Sequence, residues 1–417
     1  MSLPRLLLAA TVAAVIFPAT AQAAAPWSDP VTVPGSVGQA GSPVILGDVV
    51  AFNGAGSFPG VPLLRAPLDG SATASAWPGA TNFDSQFGAF AAGKQLLYAG
   101  SNGHGRVQVA LAASSHARWR VAVRGPHTGG ARMAAAPGAV AFGTFESGGS
   151  GRVYLVRQTG ATSLGSTQRL SGGGHIRSVA VATNARGDAL VAWDRSGRLE
   201  ARFWYARSKR LSNVQTLART NAALRLTAAL GSDRRALVAW VDQGQNEGSA
   251  SAGTMQVVAR TASRGFGAPR QLESYPVHTI PGGTALQAAY TASGRGVLAW
   301  SGLNAVRATF VDGRTVGAPQ DLAPIAPDPS WLAVGLGDLA ISPDGQAVVT
   351  MVARVDPDHT QILAAPLAAG ADAFGAAEPV AGPQELASSP SAAFASNAIT
   401  VAWNANRSVQ VARRPAP

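Results

Sequence analysis

Few segments of this 417-residue chain place chemically useful residue types at a recognised spacing. Gly88-Ala89-Phe90-Ala91-Ala92-Gly93-Lys94 has the spacing of a phosphate-binding loop, in which backbone amides and a lysine cradle phosphate oxygens. Gln95 stands where such a loop carries its metal-binding Ser or Thr, and the segment reads as a strand and hairpin turn without the helix that would face the phosphates. Gly335-Leu336-Gly337-Asp338-Leu339-Ala340 imitates a dinucleotide fingerprint, also among strands. The cluster Asp356-Pro357-Asp358-His359 and the loop Asp242-Gln243-Gly244-Gln245-Asn246-Glu247 offer oxygen ligands to a cation. Neither has the acidic spacing of a calcium loop, so both read as solvated turns. Gly-x-Ser-x-Gly and His-Glu-x-x-His do not occur, and no catalytic residue, cofactor or metal is assigned.

The elements that position these residues follow from a recurring pattern. Apolar segments ending on a large side chain return about every fifty residues, at Phe52, Tyr98, Phe142, Trp193, Trp240, Trp300, Met351 and Trp403. Between these anchors lie short alternating runs bounded by Gly, Ser, Asn and Pro, which are strand and turn signals without helical periodicity. In the clearest unit, residues 176–218, four strands are expected, with Asn184-Ala185-Arg186-Gly187 as the first hairpin turn. Third strands share a signature, as in Val107-Gln108-Val109-Ala110 and Val409-Gln410-Val411-Ala412. Four-stranded units of this length, repeated eight times, specify an all-β chain folded as a β-propeller, with seven blades as the fallback if the Phe52 unit is not a true copy.

The hairpin Ile341-Ser342-Pro343-Asp344-Gly345 resembles the Ser-Pro-Asp-Gly turn of TolB-like propellers, and Trp193-Asp194 is similar to the ending of a WD40-like repeat. The resemblance is to secreted bacterial propeller repeat proteins at large, and it implies the same ring of blades.

The chain ends carry further information. The last unit stops soon after its third strand, at Val409 to Arg413, and lacks a fourth. Trp27-Ser28-Asp29-Pro30-Val31-Thr32-Val33 matches Phe266-Gly267-Ala268-Pro269-Arg270-Gln271-Leu272 position for position, so residues 27–33 are expected to complete the last blade. Residues 1–23 have the layout of an export signal: Arg5, an apolar stretch from Leu6 to Phe17, and Ala21-Gln22-Ala23 as the cleavage site. A mature propeller of residues 24–417, secreted or on the exterior of the cell envelope, is expected. No later apolar run is long enough for a membrane span.

Cysteine is absent, which excludes disulfides, thiolate ligands and a cysteine nucleophile. The formal charge is +11, carried almost entirely by arginine, with Lys94 and Lys209 the only lysines. This balance suits an anionic extracellular polymer, unless Arg is simply the solubilising surface residue. Nucleic acid is not expected, because no basic stripe with interleaved aromatics occurs.

In a propeller, the loops joining second to third strands and those joining successive blades share one face. That assignment places His104, His127, His175, His278 and His359 on one face, with Arg132, Arg177, Arg198 and Trp331. The repeated aromatics read as wedges between blades. Trp204, Trp331, Tyr205 and Tyr275 fall outside the repeat register and are expected to be exposed, Tyr275 joining the candidate ligand face. The functional expectation is a monomeric, non-catalytic module that binds a glycan, cell-wall polymer or protein through this face. The alternative is a glycan hydrolase or lyase whose acid and base come from different blades, an arrangement without fixed spacing in sequence.

Overall fold

The computed structural model describes residues 25–37, 42–53, 63–78, 85–92, 95–101, 106–114, 117–118, 120–127, 132–144, 150–243, 253–275, 285–303, 305–324, 335–356, 358–395 and 398–416. These residues form eight antiparallel sheets of four or five strands. In four sheets the outermost strand is broken into two short pieces, both paired with the third strand.

The innermost strands, numbered as blades 1 to 8, are Val44–Leu46, Ser85–Ala92, Arg132–Ala136, Ile176–Thr183, Ala223–Leu230, Leu286–Tyr290, Gly335–Ile341 and Ser388–Ala395. Each packs on the next, and that of blade 8 packs on that of blade 1, so the sheets close into a ring. The segment with phosphate-loop spacing falls, as expected, on paired strands Ser85–Ala92 and Gln95–Ser101, and Gly335 to Ala340 lies in an inner strand.

Each second strand is apolar on both faces because it lies mid-sheet between two other blades; Ala139–Gly143 is buried at every position. Its terminal large side chain faces the preceding blade. Phe52 packs among residues of blades 1 and 8, Phe142 of 3 and 2, Trp193 of 4 and 3, Trp240 of 5 and 4, Trp300 of 6 and 5, Met351 of 7 and 6, and Trp403 of 8 and 7. Trp77, from the outer edge of blade 1, fills the junction with blade 2 and donates its indole N–H to the Ala117 carbonyl at 3.0 Å. The cores therefore lie between blades, where large rings fill the widening gap.

Two aromatics differ from expectation. Trp204 is 5 % exposed and Tyr275 is 1 % exposed. Trp204 sits between blades 3 and 4 with the Arg157 guanidinium 3.9 Å from its ring centre, and Tyr275 fills the junction of blades 5 and 6. Repeat register misjudges both, because third and fourth strands also supply wedges.

The last blade is completed by the N-terminal strand. Val31 pairs with Val411 and Thr32 with Gln410. Around this ladder the Ser28 N–H donates to the Arg413 carbonyl at 2.7 Å, the Val33 N–H to the Val409 carbonyl at 2.8 Å, and the Val409 N–H to Ser36 Oγ at 2.9 Å. Trp27 packs against the core between blades 7 and 8, as Phe266 does between blades 4 and 5 and Phe374 between blades 6 and 7. The position-for-position match in sequence is thus a match in place. Among the described residues, no helix is long and apolar enough to cross a membrane.

Candidate functional site

The site is built from irregularities in two neighbouring inner strands. Pairing in blade 7 slips by one residue between Leu336 and Leu339, and in blade 8 between Ser388 and Ser391. A bulge re-aims side chains and bends its strand, and such bulges are common beside functional sites. The two bulges nest. A Cβ on Gly337 would run into Pro390, so only glycine allows this approach. Asp338, half-buried at the blade 7 bulge, reaches across to blade 8: its Oδ2 accepts from Ser391 Oγ at 3.3 Å and from the Ala392 N–H at 3.0 Å, while Oδ1 accepts from the Leu339 N–H at 2.9 Å.

A cavity of about 630 Å³ opens over this junction, within the size range of small-molecule sites. Its floor comes from Gly335 to Asp338 and Ser388 to Ser391, and its sides from Ser42 to Val44 of blade 1, Gln287 of blade 6, and Val352, Arg354, Asp358, Thr360 and Leu386 of blades 7 and 8. All belong to the face of second-to-third-strand loops and blade-to-blade connections. Leu386 and Ser389 hold left-handed backbone angles, with φ of 51° and 52°. Such angles disfavour non-glycine residues and are found where surrounding structure fixes a loop for a purpose. Leu386, 58 % exposed, gives the mouth an apolar element.

Burial raises the Asp338 carboxyl above its ordinary range, its three hydrogen bonds opposing the shift in part. Asp356 behaves oppositely. The Asp358 N–H and the His359 side chain, both bonded to its carboxylate, hold it below the ordinary range and raise His359 in turn. His359 Nδ1 lies 2.8 Å from Asp356 Oδ1. This turn is closed by its own hydrogen bonds, and Asp358 alone of the acidic cluster lines the cavity. Asp242, the first residue of the other acidic loop, is buried and caps the blade 4 to blade 5 connection by accepting from the Asn221 and Ala222 N–H groups.

Those of the residues chosen from sequence whose side chains are described do not gather at one place. His359 borders the cavity through Asp358 and Thr360. His175 and Arg198 are exposed on blade 4, across the ring from blade 8, and Arg177 there donates to the Asn221 carbonyl. Tyr275 is buried, its hydroxyl 3.4 Å from the Ser301 carbonyl, and desolvation raises its pKa strongly. His127 ends one strand and Arg132 begins the next blade, while His278 and Trp331 lie outside the described residues. Sequence reasoning missed Asp338, Gln287 and Ser391. The signal available was Gly337 inside a strand pattern, a mark of a bulge or close backbone approach.

Comparison with known proteins places the fold and stops there. No family model matches the chain, and no curated protein matches it. Among solved structures, the Dos1 propeller is similar at 11 % identity with a TM-score of 0.54, over 94 % of this chain and 95 % of that one. A polysaccharide lyase of family PL25 matches with a TM-score of 0.46 at 8 % identity over 79 % and 90 % of the two chains. TolB from Acinetobacter baumannii matches with 0.36 at 12 % identity over 80 % and 82 %. The chain is a β-propeller without a specific family.

Proposed function

We propose that this propeller is an exported, non-catalytic binding module that seats an extracellular glycan, cell-wall polymer or protein in the cavity over the junction of blades 7 and 8. The observation that carries the reading is that cavity: two nested bulges, two carboxylates, several hydroxyls and the exposed Leu386 converge on the loop face. Export is supported by the leader-like residues 1–23, and the exported protein is expected to begin near Ala24 on N-terminal sequencing.

The test is retention of the purified protein on cell-wall material and on a glycan array. Leu386→Asn, which keeps a residue tolerant of the left-handed angle, is expected to weaken retention several-fold. Arg264→Ala, an exposed position on the opposite face, is expected to leave it unchanged. Equal retention of both variants refutes the placement.

The second reading, a glycan hydrolase or lyase, is favoured by one observation: Asp338 and Asp358 line the same cavity, and the first has the raised pKa that a general acid requires. Release of reducing ends or unsaturated products from polysaccharide, abolished by Asp338→Asn, would decide for it.

A further inference from the structure

We infer that the ligand group entering the blade 7 and 8 cavity is an organic cation, an ammonium or guanidinium on an aliphatic stem, rather than the anionic polymer that the charge of the whole chain suggests. This rests on the binding reading above and adds the chemical class. The chain is +11, yet among the described residues the ionisable side chains lining the cavity are Asp338, Asp358 and Arg354. The arginine is tethered, its Nε donating to the Asp356 carbonyl at 3.0 Å. Asp356 and Glu385 stand close enough to His359 to raise its pKa, so the surroundings of the mouth are acidic as well.

The cavity supplies acceptors at its floor. A carboxylate has about four acceptor positions, and Asp338 uses three on the protein: both on Oδ2 and one on Oδ1. The remaining Oδ1 position is the natural partner for an incoming N–H. Asp358 is exposed, and among the described residues its carboxylate has no hydrogen-bond donor. Two carboxylates on one cavity favour a cation through charge-assisted hydrogen bonds, which are about twice as strong as neutral ones.

The walls select the rest of the ligand. Val44, Leu336, Val352 and Leu386 are aliphatic, and among the described residues no aromatic ring lines the cavity to stack against a sugar. A flexible methylene stem carrying a terminal charge fits such a surface, as lysine and arginine stems do on protein surfaces generally. Among the described residues no three His, Asp or Glu side chains gather closely enough to hold a metal ion, which leaves an organic cation as the complement.

A diffusible diamine and a basic peptide side chain share this chemistry, and calorimetry separates them. The mature protein would be titrated with pentane-1,5-diamine, with the peptide acetyl-Ala-Lys-Ala-amide, and with trigalacturonate as an anionic sugar. Binding of either cation is expected, the better of the two naming the source. Asp358→Asn is expected to weaken it by about tenfold and Asp338→Asn by at least as much. Asp372→Asn, an exposed carboxylate on the opposite face, is expected to change nothing. Because Asp358 is exposed, its variant tests the idea even if Asp338→Asn loses stability. Cation binding that is indifferent to Asp358→Asn, or no cation binding at all, overturns the inference. Trigalacturonate binding strengthened by Asp358→Asn also overturns it while leaving the cavity as the binding site. Retention on cell-wall material that is unaffected by Leu386→Asn would instead remove the binding reading beneath it.

Discussion

Asp338 combines two roles that ordinarily conflict, since the carboxylate that ties blade 7 to blade 8 is also the one that faces the cavity. Its pKa is raised, so the native state holds its proton more tightly than the unfolded chain does. Stability therefore falls as pH rises from about the ordinary aspartate value of 3.8 through the raised native value, and Asp338→Asn should flatten that slope. Carboxyl-carbon NMR should find Asp338 titrating above 3.8 and Asp356 below it; the reverse order would contradict the geometry. The Asp356–His359 pair has a dependence of the same sign on its histidine side, in a higher pH window: its contribution is present below the ordinary histidine value of 6.5 and lost as pH rises through the raised one. Little of this was legible in sequence. Asp338 stood only in a run that imitates a dinucleotide fingerprint, with a preceding glycine as the one useful sign, because a bulge is set by how two blades meet and not by a local run of residue types.

At the scale of strands and turns, the arginines find an explanation that composition left open. Arg307 of blade 6 bonds Glu273 of blade 5 at 2.9 Å and Asp321 of its own blade at 2.7 Å, while Arg202 of blade 4 donates to the Leu170 carbonyl of blade 3 at 3.1 Å. On the hairpin-turn face, Arg234 reaches Asp188 at 2.8 Å, Arg235 reaches Asp312 at 3.1 Å and Arg295 reaches Asp372 at 2.9 Å, each linking neighbouring blades. A guanidinium suits this work because its donors fan out in a plane and hold several acceptors at once. In a chain without cysteine, much of the positive charge thus has a structural use. Buried carboxylates act likewise: Asp194, at 0 % exposure, accepts from Gly197 N–H and Thr220 Oγ1 and, at 2.8 Å, from the Ala223 N–H that begins blade 5. Asp194→Ala leaves those buried donors without a partner and should cost about 3 kcal/mol in denaturant unfolding. A loss below about 1 kcal/mol would mean that water replaces the carboxylate. The strands were readable because their periodicity is local. Asn184-Ala185-Arg186-Gly187 was readable for the same reason: the Asn184 side chain accepts from the Arg186 and Asp188 N–H groups, and Gly187 takes φ 77°. The cross-blade partners were not, since they are separated by tens of residues of no fixed number.

For the molecule as a whole, the seam between the N-terminal strand and Ser408–Pro415 is what makes the array a ring. Deleting residues 24–33 removes the ladder and the buried Val33 and should lower stability by several kcal/mol, the Val33 side chain alone accounting for roughly 1.5 kcal/mol or more. An unchanged melting temperature in that truncation would show that the seam is dispensable. The seam could be read in sequence because one strand at each end had no partner within its own unit. Tyr275 and Trp204 could not be placed in the same way, as the repeat register says where second strands end but not which other rings fill the gaps. The seam also sets an order of events. The Val33 N–H bonds the Val409 carbonyl and the Val409 N–H returns to Ser36 Oγ across 373 residues, so the N-terminal strand has its backbone satisfied only once a segment far along the chain is in place. Until those two segments meet, the array of blades carries two open strand edges. Closure of the whole ring thus hangs on one short ladder between segments that lie far apart in sequence.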